Sequence, residues 1–294
     1  MGKKIEFCGC YVAIVTPFNS DGSLNEEGLR SNIEFLIANG VAGIVPCGTT
    51  GESATLTWEE HKRVVDIAIE QAKGRVQVIA GAGSNNTSEA VEAALHAKKS
   101  GADAIMSITP YYNKPTQEGL YRHFSAIAAK VDIPMVVYNV PGRTAVNMLP
   151  ETVARLCDIP QVMAVKEASG NITQISEIHR LCGDRLDILS GDDGMTLPVL
   201  ACGGKGVISV IGNIVPAKMS KMVALYQKGD HHAALEIHEE LLPLSQIVFI
   251  ETNPAPVKVC MAEIGLASGP VRLPLAPMSD TNKEKLLSVW KTYK

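Results

Sequence analysis

The chain has 294 residues, 27 Lys+Arg against 31 Asp+Glu, and a formal net charge of −4. At 46% hydrophobic and 20% charged residues it is too apolar for disorder, and a pI near 6.0 gives no global charge drive toward nucleic acid or anionic lipid. No apolar run approaches the ~20 residues of a membrane-spanning helix.

Lys3, Lys4 and Glu6 interrupt the N-terminus before a signal-type apolar stretch forms. The seven cysteines are scattered without C-x-x-C spacing. Cys8 and Cys10 fall in an N-terminus expected to fray, and Cys47 and Cys202 in apolar surroundings. This usage fits a reducing cytosol better than a disulfide framework, so a cytoplasmic protein without nucleic-acid or membrane partners is expected.

Short apolar segments alternate with longer helical patterns. The apolar segments are residues 11–16, 43–48, 76–81, 104–109, 135–140, 162–166, 187–191 and 206–210, most of them rich in Val and Ile, with Gly, Pro, Asn or Asp close by. That is how buried parallel strands read. Their starts advance from 11 to 206 in seven steps, a mean of about 28 residues, which is the length of a βα unit. Residues 58–72 place Val64, Val65, Ile67, Ala68 and Ala72 on one helical face, behind Thr57 as N-cap with Glu60 completing a capping box. Residues 88–100 and 117–130 behave similarly. Eight such units predict a (β/α)8 TIM barrel. An open doubly wound sheet is the rival, but Pro17-Phe18-Asn19 follows the first strand where that fold places glycines. Past residue 225 the strand signal stops, and 226–250, 254–264 and 281–290 read as helices. The expected organisation is a catalytic barrel over 1–225 and a helical C-terminal extension over 226–294.

Lys166 ends the sixth apolar run, where period-two alternation puts it on the face of Val162 and Ala164, toward the barrel interior. A buried ammonium is costly unless paired or deprotonated, and a neutral amine is a nucleophile toward carbonyls. The residues alone leave two readings open, a Schiff-base lysine and a lysine paired with a rim carboxylate such as Glu167. Gly48-Thr49-Thr50-Gly51-Glu52-Ser53 follows the second strand; its hydroxyls and amides suit a carboxylate, or simply a turn held by Glu52. Tyr111 and Tyr112 follow the fourth strand and Tyr138 lies in the fifth, placed either for proton relay or for packing. Arg143, after a Pro-Gly turn, is a carboxylate clamp or a solvated loop arginine. Asp192 and Asp193 read as caps of the next helix. Gly81-Ala82-Gly83 lacks the third glycine of a dinucleotide fingerprint, and His231, His232 and His238 read as a solvated helix face, so no metal and no nicotinamide cofactor is expected.

Together these segments resemble the dihydrodipicolinate synthase family of class I pyruvate-dependent aldolases. The likeness runs from Tyr11-Val12-Ala13 to Arg272-Leu273-Pro274-Leu275. It is most specific at residues 48–53, at Pro110-Tyr111-Tyr112-Asn113-Lys114-Pro115, at 138–144, at Val165-Lys166-Glu167-Ala168 and at Ser190-Gly191-Asp192-Asp193. The resemblance implies that Lys166 forms an imine with pyruvate and that no other cofactor is used. It implies that Thr49 and Thr50 hold the pyruvate carboxylate, and that Tyr138 is the acid/base, linked through Thr50 to a Tyr112 reaching over from a neighbouring subunit. Arg143 would bind the carboxylate of L-aspartate 4-semialdehyde, with Gly191 and the Ile208 carbonyl lining the pocket. The product would be 4-hydroxy-tetrahydrodipicolinate, at the first committed step of lysine and diaminopimelate biosynthesis, and the assembly a homotetramer, a dimer of dimers. Allosteric feedback by L-lysine would use Ser53, Ala54, Trp58, His61, Asn85, Glu89 and Tyr111. The alternative is a sister aldolase that shares Lys166 and Tyr138 but acts on a sialic acid or a 2-keto-3-deoxy sugar acid.

Overall fold

The eight Val- and Ile-rich runs become strands that pair in chain order and close on themselves. The computed structural model describes residues 5–293, so Lys3 and Lys4 lie outside the described part. The strands are β1 Gly9–Ala13, β2 Gly43–Val45, β3 Gln77–Gly81, β4 Ala104–Ile108, β5 Met135–Asn139, β6 Val162–Glu167, β7 Asp187–Ser190 and β8 Gly206–Ser209. All neighbours are parallel, and β8 pairs back onto β1 to give a closed barrel. Alternation separates two apolar layers. Tyr11, Ala13, Val136, Tyr138, Ala164, Leu189 and Ile208 fill the barrel interior, whereas Cys10, Val12, Met135, Val137, Val165 and Ile188 pack outward under the helices.

Three expectations about the strands change. β1 begins at Gly9, so Cys10 is not frayed; it is 2% exposed and paired with Val207. β2 stops after three residues because Pro46 has no N–H to donate and Cys47 turns left-handed at φ 55°. In β6 the register jumps from Met135↔Val162 to Val136↔Ala164, a bulge at Met163. The extra residue sends Val162 to the outer layer while Ala164 stays inside, so Lys166 keeps its inward face and Val162 does not share it.

The helices follow their amphipathic patterns. They are α1 Glu26–Ala38, α2 Trp58–Ala72, α3 Thr87–Ser100, α4 Gln117–Lys130, the one-turn α5 Pro141–Thr144, α6 Pro150–Leu156, α7 Ile172–Cys182, α8 Thr196–Ala201 and α9 Pro216–Gln227. Thr57 and Glu60 make the full capping box before α2. The helix expected over 226–250 starts later, because residues 226 and 227 are the end of α9. Gly229 at φ +88° ends that helix, and Asp230 caps the next by accepting from the Ala233 N–H. That next helix is α10 His231–Ile247, followed by α11 Ala255–Glu263 and α12 Asp280–Trp290. Among the described residues no helix is long and apolar enough to cross a membrane.

Candidate active site

Lys166 stands near the carboxyl end of β6 on the barrel's inner face, 5% exposed. Its strand neighbour in register is Tyr138 of β5, and the Lys166 Nζ lies 4.2 Å from the centroid of that ring. Burial pulls the amine down to about 8, the Arg143 charge acting in the same direction and Asp193 against it. The alternative pairing with Glu167 does not occur, because the next residue of a strand faces the other way. The Glu167 carboxylate accepts instead from Asn139 Nδ2 at 3.0 Å, the Ser169 N–H at 2.7 Å and Gln174 Nε2 at 3.3 Å.

Tyr138 is 5% exposed, and burial pushes its phenol up to about 12, so it stays protonated at neutral pH. The side chain beside its phenol is Thr49, where the resemblance puts Thr50 in this link. The two threonines are consecutive in a tight turn, where the Gly51 N–H returns to the Gly48 carbonyl and the Glu52 N–H to that of Thr49. Their side chains therefore diverge. Thr50 is 2% exposed, and its hydroxyl accepts from Asn253 Nδ2 at 3.0 Å.

Gly191, just past β7, leaves room for the lysine. A Cβ there would sit 3.1 Å from Lys166 Cε and 2.7 Å from the Ala168 methyl. The following aspartates split their duties. Asp192 caps a short 3-10 turn by accepting from the Gly194 N–H at 2.9 Å, as a cap should. Asp193 is no cap: it is 3% exposed and accepts at Oδ2 from the Val210 and Ile211 N–H groups, both at 3.0 Å. It thereby ties β7 to the end of β8, the strand that carries buried Ile208.

The C-terminal helices hold the threonine turn from outside the barrel. Glu52, left-handed at φ 52°, is ion-paired with Lys258 of α11 at 2.5 Å, and both side chains are almost fully buried. The backbone N–H of Arg272 donates to the Glu52 carboxylate at 3.0 Å, and the Arg272 side chain pairs with Glu60 at 2.6 Å and with the carbonyls of Gly22 and Thr55. Lys258 and Arg272 both lie over the Phe18 ring, 4.5 and 4.1 Å from its centroid. Glu52 thus holds the turn rather than acting as an acid. Asn253 and Lys258 were not anticipated. Lys258 carried a legible signal, since it sits in Val257-Lys258-Val259-Cys260 much as Lys166 sits in its strand; Asn253 carried none.

A cavity of about 490 Å³ opens at the mouth, lined by Thr49, Arg143, Thr144, Thr252 and Asn253. It continues past Ser53, Ala54, Trp58, His61, Glu89 and Tyr111. Asn85 stands beside them, its Nδ2 donating to the Tyr111 carbonyl at 3.2 Å. Burial holds His61 down at about 4, so its imidazole is neutral, and Glu89 accepts from Ser84 Oγ at 2.7 Å. Tyr112 is not brought to this site within one chain. At φ 70° it turns outward, with its side chain 89% exposed. Among the described residues no group of three or more His, Cys, Asp or Glu side chains is placed to hold a metal ion.

A closed (β/α)8 barrel with a buried amine and a phenol side by side at the carboxyl ends of adjacent strands defines a barrel enzyme with its site at the strand ends. The dihydrodipicolinate synthetase (DHDPS) family profile matches residues 6–292. The 4-hydroxy-tetrahydrodipicolinate synthase of Geotalea daltonii is 56% identical over 288 residues, 98% of this chain and 99% of the relative. Among solved structures, the dihydrodipicolinate synthase from Aquifex aeolicus superposes with a TM-score of 0.96 at 46% identity, covering 98% of both chains. That of DHDPS from Cyanidioschyzon merolae with lysine bound gives 0.94 at 39%, over 96% of this chain and 97% of the other. The chain belongs to the dihydrodipicolinate synthetase family. It is a lyase.

Proposed function

We infer that the protein condenses pyruvate with L-aspartate 4-semialdehyde to 4-hydroxy-tetrahydrodipicolinate, opening lysine and diaminopimelate biosynthesis, by way of an imine on Lys166. One observation carries the mechanism: a lysine 5% exposed with its Nζ 4.2 Å from the ring centroid of an equally buried tyrosine, where burial pulls the amine down and the phenol up. The neutral amine adds to the pyruvate ketone, and loss of water leaves an iminium. The iminium is an electron sink, so a methyl proton departs and an enamine forms. Its carbon attacks the aldehyde, whose oxygen takes a proton. The amine of the semialdehyde then displaces Lys166 and closes the ring. Tyr138 serves as the acid/base in these transfers, with Thr49 as its hydroxyl neighbour in the relay.

Thr50, with Thr49 and the amides of the turn, would hold the pyruvate carboxylate, and Gly191 and the Ile208 carbonyl would line the pocket. Arg143, on the rim of the cavity, would clamp the semialdehyde carboxylate. The outward Tyr112 suits a site completed by a second subunit, in a homotetramer built as a dimer of dimers. The reading places the enzyme in the cytoplasm, with residues 1–225 as catalytic barrel and 226–294 as extension, and gives it no cofactor beyond the imine.

L-Lysine is the proposed feedback ligand of the inner end of the cavity, where the Glu89 carboxylate offers a counter-charge to an ammonium group. The lysine-bound relative from Cyanidioschyzon merolae supports this reading. The mechanism is tested by incubation with pyruvate, reduction with borohydride, and peptide mapping by mass spectrometry. The adduct is expected on Lys166 and absent from Lys166→Ala; an adduct on another lysine, or none, overturns the imine. For the regulatory site, the rate should fall as lysine is titrated in, and a flat response into the millimolar range refutes it.

A further inference from the structure

The hydroxyl of Thr50 has a defined hydrogen-bond polarity. A threonine hydroxyl offers one donor and two acceptor lone pairs. Among the described residues the Thr50 hydroxyl makes one hydrogen bond, as acceptor from Asn253 Nδ2 at 3.0 Å. Both residues are nearly closed off, at 2% and 3% exposure. A buried amide N–H that donates to the oxygen keeps the hydroxyl hydrogen off that side, so it is left to donate elsewhere. Asn253 itself is anchored: it directly precedes Pro254 and α11, the helix whose Lys258 is ion-paired to Glu52, two residues beyond Thr50. The amide and the turn it serves are thus fixed by the same element, 203 residues apart in the chain.

We propose that Asn253, supplied by the segment leading into α11, is a positioning residue that fixes the Thr50 hydroxyl as a donor to the pyruvate carboxylate. The proposal rests on the carboxylate-binding role given to Thr50 above. It explains why the C-terminal helices reach back to the mouth of the barrel. They orient a group in the substrate site as well as buttressing its turn. Alanine at 253 releases the hydroxyl rotor. Aspartate at 253 reverses it, because a carboxylate accepts the Thr50 hydrogen and also sets a negative charge beside the carboxylate to be bound.

The test measures pyruvate KM and kcat, with melting temperature as a check on folding, for Asn253→Ala, Asn253→Asp, Thr50→Val and the two double variants. Wild type must first form the pyruvate adduct; if it does not, the functional reading fails before this proposal is reached. Given the adduct, Asn253→Ala should raise pyruvate KM about tenfold with little change in kcat, and Asn253→Asp should raise it further. In the Thr50→Val background Asn253→Ala should add nothing to the loss, because no hydroxyl remains to orient, and Asn253→Asp should keep only the part of its penalty that its charge imposes. Should Asn253→Ala fail to fold, the near-isosteric Asn253→Asp carries the same comparison. Wild-type KM in Asn253→Asp, or an unchanged penalty from residue 253 in the Thr50→Val background, would overturn the proposal.

Discussion

The amine of Lys166 determines how imine formation depends on pH, and its surroundings set the direction in which that dependence moves. An exposed lysine near 10.5 is neutral in roughly one molecule in 3,000 at pH 7, whereas an amine at about 8 is neutral in roughly one in ten. Burial therefore raises the reactive fraction about 300-fold, equivalent to about 3 kcal/mol of differential interaction between the two protonation states. The assay is the initial rate of reductive trapping with pyruvate and cyanoborohydride between pH 6 and 10, with Lys166→Ala subtracted as background. The rate should rise nearly tenfold per pH unit up to about 8 and then level off. Arg143 lowers the amine and Asp193 raises it. Arg143→Gln should therefore move the midpoint up and Asp193→Asn should move it down. A rate still climbing tenfold per unit between pH 9 and 10 would mean an ordinary lysine, and a flat profile from pH 6 would mean one already neutral. The first result refutes burial as the source of the nucleophile, and the second refutes a midpoint near 8.

Gly191→Ala should slow trapping at least tenfold and lower the melting temperature, since its Cβ would press on Lys166 Cε at 3.1 Å and on the Ala168 methyl at 2.7 Å; wild-type trapping would show that the lysine does not need this space. Lys258→Met should cost about 3–5 kcal/mol in urea unfolding by leaving the Glu52 carboxylate buried and unpaired, and Glu52→Gln/Lys258→Met should recover part of that loss. Equal stability of the single and double variants would mean that the charge, as opposed to the packing, is irrelevant there.

Features set by local pattern were legible in the chain. The strand of Lys166 shows an ammonium in an apolar run, and alternation from Ala164 is enough to turn it inward. The capping box at Thr57 and Glu60 is a four-residue device and appears as read. Features that depend on register or on distant partners were not legible. The bulge at Met163 shifts Val162 across the sheet without any glycine to announce it. Thr49 and Thr50 are neighbours of the same type, and only the three-dimensional turn decides that one meets Tyr138 and the other Asn253. Asp193 lies in a motif that reads as a cap, yet its partners are amides 17 and 18 residues further along. Tyr112 illustrates another limit, since one chain turns it to solvent and gives it nothing to act on.

The central claim is tested most directly by initial rates with pyruvate and L-aspartate 4-semialdehyde, run beside N-acetylmannosamine and a simple sugar aldehyde. The account predicts a strong preference for the semialdehyde, and a selective rise in its KM in Arg143→Ala. Preference for a sugar aldehyde, or unchanged semialdehyde kinetics without the arginine, would contradict it.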